Sequence, residues 1–411
     1  MIERIVIENF KSLRQVDLKL GRMNLFIGSN ASGKSNFFDA LRVLQGIGNG
    51  FTISEILDGK PRSATSEVWE GVRGGSASAC FANGSGDDEI RFKVWGRLSS
   101  KAKLPRRWSY AVAFSPSLGK VTQESLHASG GELYDSSVVT RNVATDPVFE
   151  VRYFSGQKGR QPHLKFERAR PALVQFARGN GQGGVKKSHA EPATEVARLL
   201  ANMQRIDPIP SVLRGYSQAH QIQRLGERGE NFAALVQTLC SDPGAKESYL
   251  SWLRQLRPAE VDDVGTLKGA VSEPLFMLKE GGKEYPAPVL SDGTLRFAAI
   301  TAAFFQPDMP DVMTIEEIEN GIHASRVRLL VELLRSRAAD GDTQIMVTTH
   351  SPILLAWLST AEYAFTFLCK RDELTGESRI CALPEIPHFT EVVSKQPISD
   401  LFAEGWLESA L

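Results

Sequence analysis

Residues 28–35 read Gly28-Ser29-Asn30-Ala31-Ser32-Gly33-Lys34-Ser35, which satisfies G-x-x-x-x-G-K-S/T. The apolar run MNLFIG leads into this stretch. NFFDALRVLQGI leads out of it, with Phe37, Leu41 and Leu44 at helical spacing, so the local order is strand, tight loop, helix. In that setting consecutive amides and the start of the helix cradle phosphate oxygens. Lys34 then reaches the β and γ oxygens, and the Ser35 hydroxyl is placed to ligate magnesium. A dinucleotide-binding loop carries no such lysine, so that reading fails, and the expected fold is α/β around a triphosphate site.

Upstream, residues 2–9 and 16–20 alternate apolar and polar as the two strands of a hairpin do. Between 68 and 95 the runs VWEGV, SACFA and EIRFKVW, broken by Gly74-Gly75 and NGSGDD, predict short strands of an antiparallel side sheet. Segments 192–204, 231–242 and 247–256 carry apolar residues at spacings of three and four and predict helices of an inserted lobe. After Pro258 come LSDGTLRFAAITAAFF, the strand VMTIEE, a helix near 323–338 and the strand QIMVTTHS. The expected division is therefore 1–150 as the first part of the head, with phosphate loop and side sheet. Residues 151–257 follow as a basic segment and inserted, mainly helical lobe, and 258–411 complete the head.

Two of those later strands end in chemistry. VMTIEE delivers Glu316 and Glu317 at its end, where open α/β sheets place ligands. Adjacent side chains point apart, so Glu316 is placed to support magnesium and Glu317 to polarise the water that attacks the γ-phosphoryl group. QIMVTT ends at His350, followed by Ser351-Pro352, and a neutral imidazole there can hydrogen-bond the γ-phosphate or the water.

Composition sets the outer limits. The 411 residues are enough for one large domain or two smaller ones, and 48 basic residues against 48 acidic ones exclude a uniformly basic coat. The four cysteines, Cys80, Cys240, Cys369 and Cys381, lack metal-finger or paired redox spacing, which fits a reducing compartment. Glu3, Arg4 and Glu8 interrupt the start where a signal peptide needs an apolar stretch, and no run approaches the length of a membrane span. A soluble cytoplasmic protein with no membrane partner is expected.

Five ordered blocks carry a resemblance: IENFKSL, GSNASGKSN, LSDGTLRFAA at 290–299, EEIENGIHASR at 316–326 and TTHSPILL at 348–355. Together they resemble the ABC-type ATPase heads of the SMC, RecF and overcoming-lysogenization-defect group, in particular the stand-alone bacterial AAA-15/AAA-21 class. The resemblance implies a P-loop ATPase head with an antiparallel side sheet and an inserted helical lobe, using ATP and Mg2+. It further implies that Asn30, Gly33, Lys34, Ser35 and Asn36 hold the nucleotide, and that 290–296 is a signature segment presented by a second copy. Ser291 and the Gly293 amide would then meet the γ-phosphate across a homodimer or a higher even-numbered oligomer, with Asn320 near the link. Two departures stand out. The family usually carries Glu-Pro-Glu and then His-Pro, where this chain has Glu317-Ile318-Glu319 and then His323-Ala324. A magnesium-sensing glutamine is also expected, and Gln123, Gln157 and Gln161 are candidates without a persuasive motif.

Residues 152–187 hold nine Lys or Arg against the single acid Glu167, with GNGQGG at 179–184 as a tip. Arg152, Lys158, Arg160, Lys165, Arg168, Arg170, Lys186 and Lys187, with Tyr153, Phe154 and Phe166, are candidates for tracking nucleic-acid phosphates and stacking bases. The competing reading is a solvated basic loop paired with acids elsewhere. The leading expectation is a switch ATPase controlling DNA or a separate effector, such as a nuclease or toxin, in antiphage defence. The rivals are an ATP-stabilised scaffold holding that partner with little turnover, and a DNA-repair clamp.

Overall fold

The structure is a computed structural model that describes residues 1–61, 69–82, 88–98, 107–128, 131–136, 143–154, 161–179, 185–218, 220–256, 261–341 and 343–411. Its centre is a six-stranded sheet in the order Met203–Ile206, Val312–Ile315, Gln344–Thr349, Met23–Ile27, Thr366–Arg371, Ser378–Ala382. The first five pair in parallel and the last is an antiparallel edge. Parallel sheets need cover on both faces, and this one has it. Phe26, Met346, Phe367 and Cys369 point into one apolar core, whereas Leu25, Ile27, Ile345, Val347 and Leu368 point into the other. Phe26 stacks on Phe37 of the helix Lys34–Asn49 at 4.5 Å and on Phe367 at 5.1 Å, which locks the helix after the phosphate loop to the strand before it.

The first core lies between this helix and an eight-stranded antiparallel sheet. The expected hairpin is present as Ile2–Phe10 paired with Leu13–Lys19. Of the strands expected over 68–95, Ile90–Arg97 is one, while residues 69–82 contribute only single bridges, Lys60 with Trp69 and Phe10 with Cys80, and a short 3-10 turn at Ser76–Ser78. Gly74 and Gly75, at φ 82° and 60°, turn the chain away before a ladder can extend.

The range 151–257 is divided between the layers. Val148–Tyr153 and His163–Glu167 close the edge of the eight-stranded sheet, Lys187–Ala201 packs on the phosphate-loop helix, and Met203–Ile206 joins the central sheet. The helices Phe232–Cys240 and Pro243–Leu256 pack with a three-stranded sheet over 261–286 in the second core, with the helices Asp292–Ala303 and Val327–Asp340. Among the described residues no helix is long and apolar enough to cross a membrane, and all four cysteines are free thiols.

One buried acid ties the eight-stranded sheet to its helical cover. The Glu124 carboxylate accepts from Tyr110 Oη at 3.0 Å, Tyr134 Oη at 2.9 Å, the Leu173 amide at 2.7 Å and the Ala172 amide. Burial pushes this carboxyl up from 4.5 to about 7 against the pull of the four donors. The folded state therefore binds the proton more tightly than the unfolded chain, and the stability contributed by this group falls as pH rises from 4.5 to about 7. Glu124→Gln should lower stability at neutral pH by about 1–3 kcal/mol, because its NH2 meets an amide donor. It should also flatten the pH dependence of the urea midpoint across that window; an unchanged midpoint and slope would contradict this role.

Candidate active site

Because the strands Val312–Ile315, Gln344–Thr349 and Met23–Ile27 are parallel neighbours, the acids, His350 and the phosphate loop emerge together at one edge of the sheet. Gly33 caps the helix at φ 107°, and a Cβ there would lie 2.3 Å from Ser378 Oγ, so only glycine fits. Among the described residues the amides of Asn30, Ala31, Gly33, Lys34 and Ser35 donate to no protein atom, leaving a nest of N–H groups at a helix start. The Ser29 amide donates to Glu408 Oε1 at 3.1 Å, from the helix Trp406–Ala410.

Lys34 is buried, and its Nζ donates to the Gly28 carbonyl at 2.7 Å and the Ser29 carbonyl at 2.8 Å. Burial holds this ammonium below the ordinary lysine range, opposed by nearby acidic groups that include Glu317 and Glu319. Ser35 Oγ donates to Glu316 Oε2 at 3.2 Å. Arg205 Nη2 stands 2.9 Å from Glu316 Oε1, which is buried and accepts no aligned hydrogen bond. A buried carboxylate oxygen in that condition, beside a serine hydroxyl and a phosphate cradle, suits a hard divalent cation completed by substrate oxygens. Ser35 and Glu316 are the residues that would hold magnesium. Among the described residues no cluster of three or more His, Cys, Asp or Glu offers an all-protein metal site.

Glu317 sits in the left-handed region at φ 45°, a conformation that costs a non-glycine residue roughly 1 kcal/mol or more. It is held on both sides: its amide donates to Thr348 Oγ1 at 2.9 Å, and its carbonyl accepts from Arg296 Nη2 at 3.2 Å. Ile318 is buried and donates its amide to the Thr348 carbonyl at 3.3 Å, a bond that a proline at this position has no N–H to make. The Glu319 carboxylate accepts the His350 amide at 3.0 Å and lies 3.4 Å from His350 Nδ1, so it aims the half-exposed imidazole. His323 folds back on Ser325, capping a 3-10 turn in place of the expected His-Pro.

Ser291 caps the helix Asp292–Ala303 by accepting from the Thr294 amide at 3.2 Å. Ser291 and Gly293 line a cleft of about 830 Å³ with Tyr285, Gly321 and His323, and no phosphate-loop residue lines it. Asn36 lines a different cleft, of about 850 Å³, with Lys11, Ser12, Arg73 and Phe81.

Comparison with known proteins adds to this geometry. Residues 245–356 match the family described as "AAA domain, putative AbiEii toxin, Type IV TA system", and residues 1–56 match "AAA ATPase domain". A relative from Helicobacter pylori named "ATP/GTP phosphatase" is 22% identical over 362 residues, covering 85% of each chain. A crystal structure of an Smc head bound to the C-winged helix domain of ScpA superposes with TM-score 0.52 at 13% identity, covering 92% of this chain and 96% of that one. The Smc head with an extended coiled coil from Pyrococcus furiosus, bound to the C-terminal domain of ScpA, gives 0.51 at 12% identity, covering 96% and 99%. The chain therefore shares the fold of the Smc heads, and two of its segments match AAA-domain family models.

In this structure the loop, Glu316, Glu317 and His350 converge, whereas the basic candidates spread out. Arg152 lies 3.6 Å from Asp135 and over the Phe154 ring, and Lys165 lies 3.9 Å from Glu150. Arg168 is buried over Phe149, donating to the Val121 carbonyl, and Arg170 donates to the Gly50 carbonyl beside Glu55. Tyr153 and Phe166 are core residues. Lys186 and Lys187 are exposed at the start of the helix Lys187–Ala201. Lys158, Arg160, Gln157 and residues 180–184 lie outside the described residues. Gln123 lines a depression on the outer face of the eight-stranded sheet with Trp95 and Ser125, and Gln161 is half-buried. Sequence reasoning missed Arg205 at this site, and it placed Arg296 and Glu319 within the signature and acidic blocks without giving either a role.

Proposed function

We propose that this chain is a magnesium-dependent ATPase switch that closes into a homodimer around two ATP molecules and opens after hydrolysis. The observation that carries the reading is the split of the chemistry. The cradle, Glu316, Glu317 and His350 share one sheet edge, while Ser291 and Gly293 line a separate cleft that a second copy can bring to the γ-phosphate. The ribose and base would extend past Asn36 into the cleft beside Lys11, Ser12 and Phe81. Lys34 would exchange the Gly28 and Ser29 carbonyls for phosphate oxygens, and Ser35 and Glu316 would hold magnesium, which when bound draws charge from the γ-phosphoryl group. Glu317 would take the proton of the attacking water, and His350, aimed by Glu319, would hydrogen-bond the γ-phosphate. The ScpA domains bound to the solved Smc heads, and the putative toxin and Type IV TA system named in the matching family, support control of a separate effector.

The test is mass in solution. A Glu317→Gln chain with saturating MgATP should double its mass by light scattering, and a mass unchanged by MgATP would overturn the proposal. In that background Gly293→Ala should remain at the nucleotide-free mass while still binding nucleotide. A Cβ at 293 would lie 2.4 Å from the Gly321 carbonyl, so the signature turn must shift.

A further inference from the structure

The helix that carries Ser291 at its start also carries Arg296, and that arginine points back into the same chain's acidic strand end. Arg296 is 4% exposed. Its Nη1 donates to Asp207 Oδ1 at 3.1 Å and to the Pro208 carbonyl at 2.8 Å, while Nη2 donates to the carbonyls of Glu316 at 2.9 Å and Glu317 at 3.2 Å. The two acids lie at and just beyond the end of their strand, where backbone carbonyls lose ladder partners and need donors from elsewhere. The fork has two ends with separate duties: one anchors the guanidinium to the loop after Met203–Ile206, and the other grips the peptide groups of both acids.

We propose that Arg296 is a positioning residue for hydrolysis, fixing the backbone of Glu317 so that its carboxylate faces the attacking water. The proposal rests on Glu317 as the general base. Glu317 holds a left-handed φ of 45°, which the surrounding structure must over-determine. Thr348, on the strand that leads to His350, fixes the amide, and Arg296, on the signature helix, fixes the carbonyl. The close approach of Gly293 to Gly321 gives the same helix a second contact just beyond the acids. A shift of the signature helix is thereby transmitted to the base within one copy. Lysine cannot replace this arrangement, because an ammonium is a single point and the two grips lie on different nitrogens of a planar fork.

The test is a double-substitution cycle on the full chain, reading steady-state phosphate release with MgATP and the affinity of a fluorescent ATP analogue. Arg296→Lys should lower kcat about 10- to 100-fold, the effect of a roughly 1 Å misplacement, with analogue affinity within about threefold of the parent. Added to Glu317→Gln, it should lower kcat no further, because it acts through the group already removed. An unchanged kcat, or the same fold-loss in both backgrounds, would overturn the positioning role. Should Arg296→Lys not fold, Asp207→Ala serves: it removes the half-exposed anchor and should lower kcat roughly fivefold at unchanged affinity, again without effect in the Glu317→Gln background. No loss from Asp207→Ala would then overturn the role. Full turnover by Glu317→Gln would instead overturn the assignment of the base and take this proposal with it. An inactive Glu317→Gln beside a fully active Arg296→Lys would sink the positioning role alone.

Discussion

Glu317→Gln is expected to lower ATP turnover by about two to three orders of magnitude, the contribution of a positioned general base. Nucleotide affinity should stay within about threefold. The amide is isosteric with the carboxylate, and the bonds that shape this residue, from its amide to Thr348 and from Arg296 to its carbonyl, are made by the backbone and survive the change. The Ser35 to Glu316 contact is likewise untouched. What disappears is the ability to accept the proton of water. Phosphate release measured beside binding of a fluorescent ATP analogue separates the two effects. Turnover equal to the parent would remove Glu317 from the chemistry and assign the base elsewhere.

Lys34→Ala is expected to act at the earlier step, weakening ATP binding by at least about 100-fold, or about 3 kcal/mol. The ammonium is already buried at the mouth of the loop and needs only to exchange two carbonyls for phosphate oxygens. Removing it leaves those carbonyls without their donor and the triphosphate without its closest fixed cation. Titration calorimetry should report the lost affinity. The rise in melting temperature that saturating ATP gives the parent should vanish, since a ligand stabilises only in proportion to its occupancy. An ATP-induced shift equal to the parent's would contradict the cradle assignment.

The parts of the site legible in the sequence are those specified over a few residues. Gly33, Lys34 and Ser35 are legible because a strand, a tight turn and a helix follow within a short span. Glu316, Glu317 and His350 are legible because each lies at or just after the end of an apolar strand. Arg205 was not, because its importance comes from Val312–Ile315, a strand that lies beside its own only after folding. The helical spacing of RLLANMQ runs on into Met203 and Gln204, and pairing with Val312–Ile315 converts that tail into strand. The basic stretch misleads for a related reason. Asp135, which faces Arg152, and Glu55, which faces Arg170, lie outside the 152–187 window, and Glu150 lies just before it. A net charge summed along the chain cannot count partners that folding supplies.

The bond between the Ser29 amide and Glu408 joins positions 379 residues apart on a single proton. A triphosphate that claims that N–H displaces a carboxylate, so the loop's occupancy and the seating of helix Trp406–Ala410 obey one mass-action law. Whatever steadies that helix taxes ATP, and ATP in turn loosens the helix by the same factor.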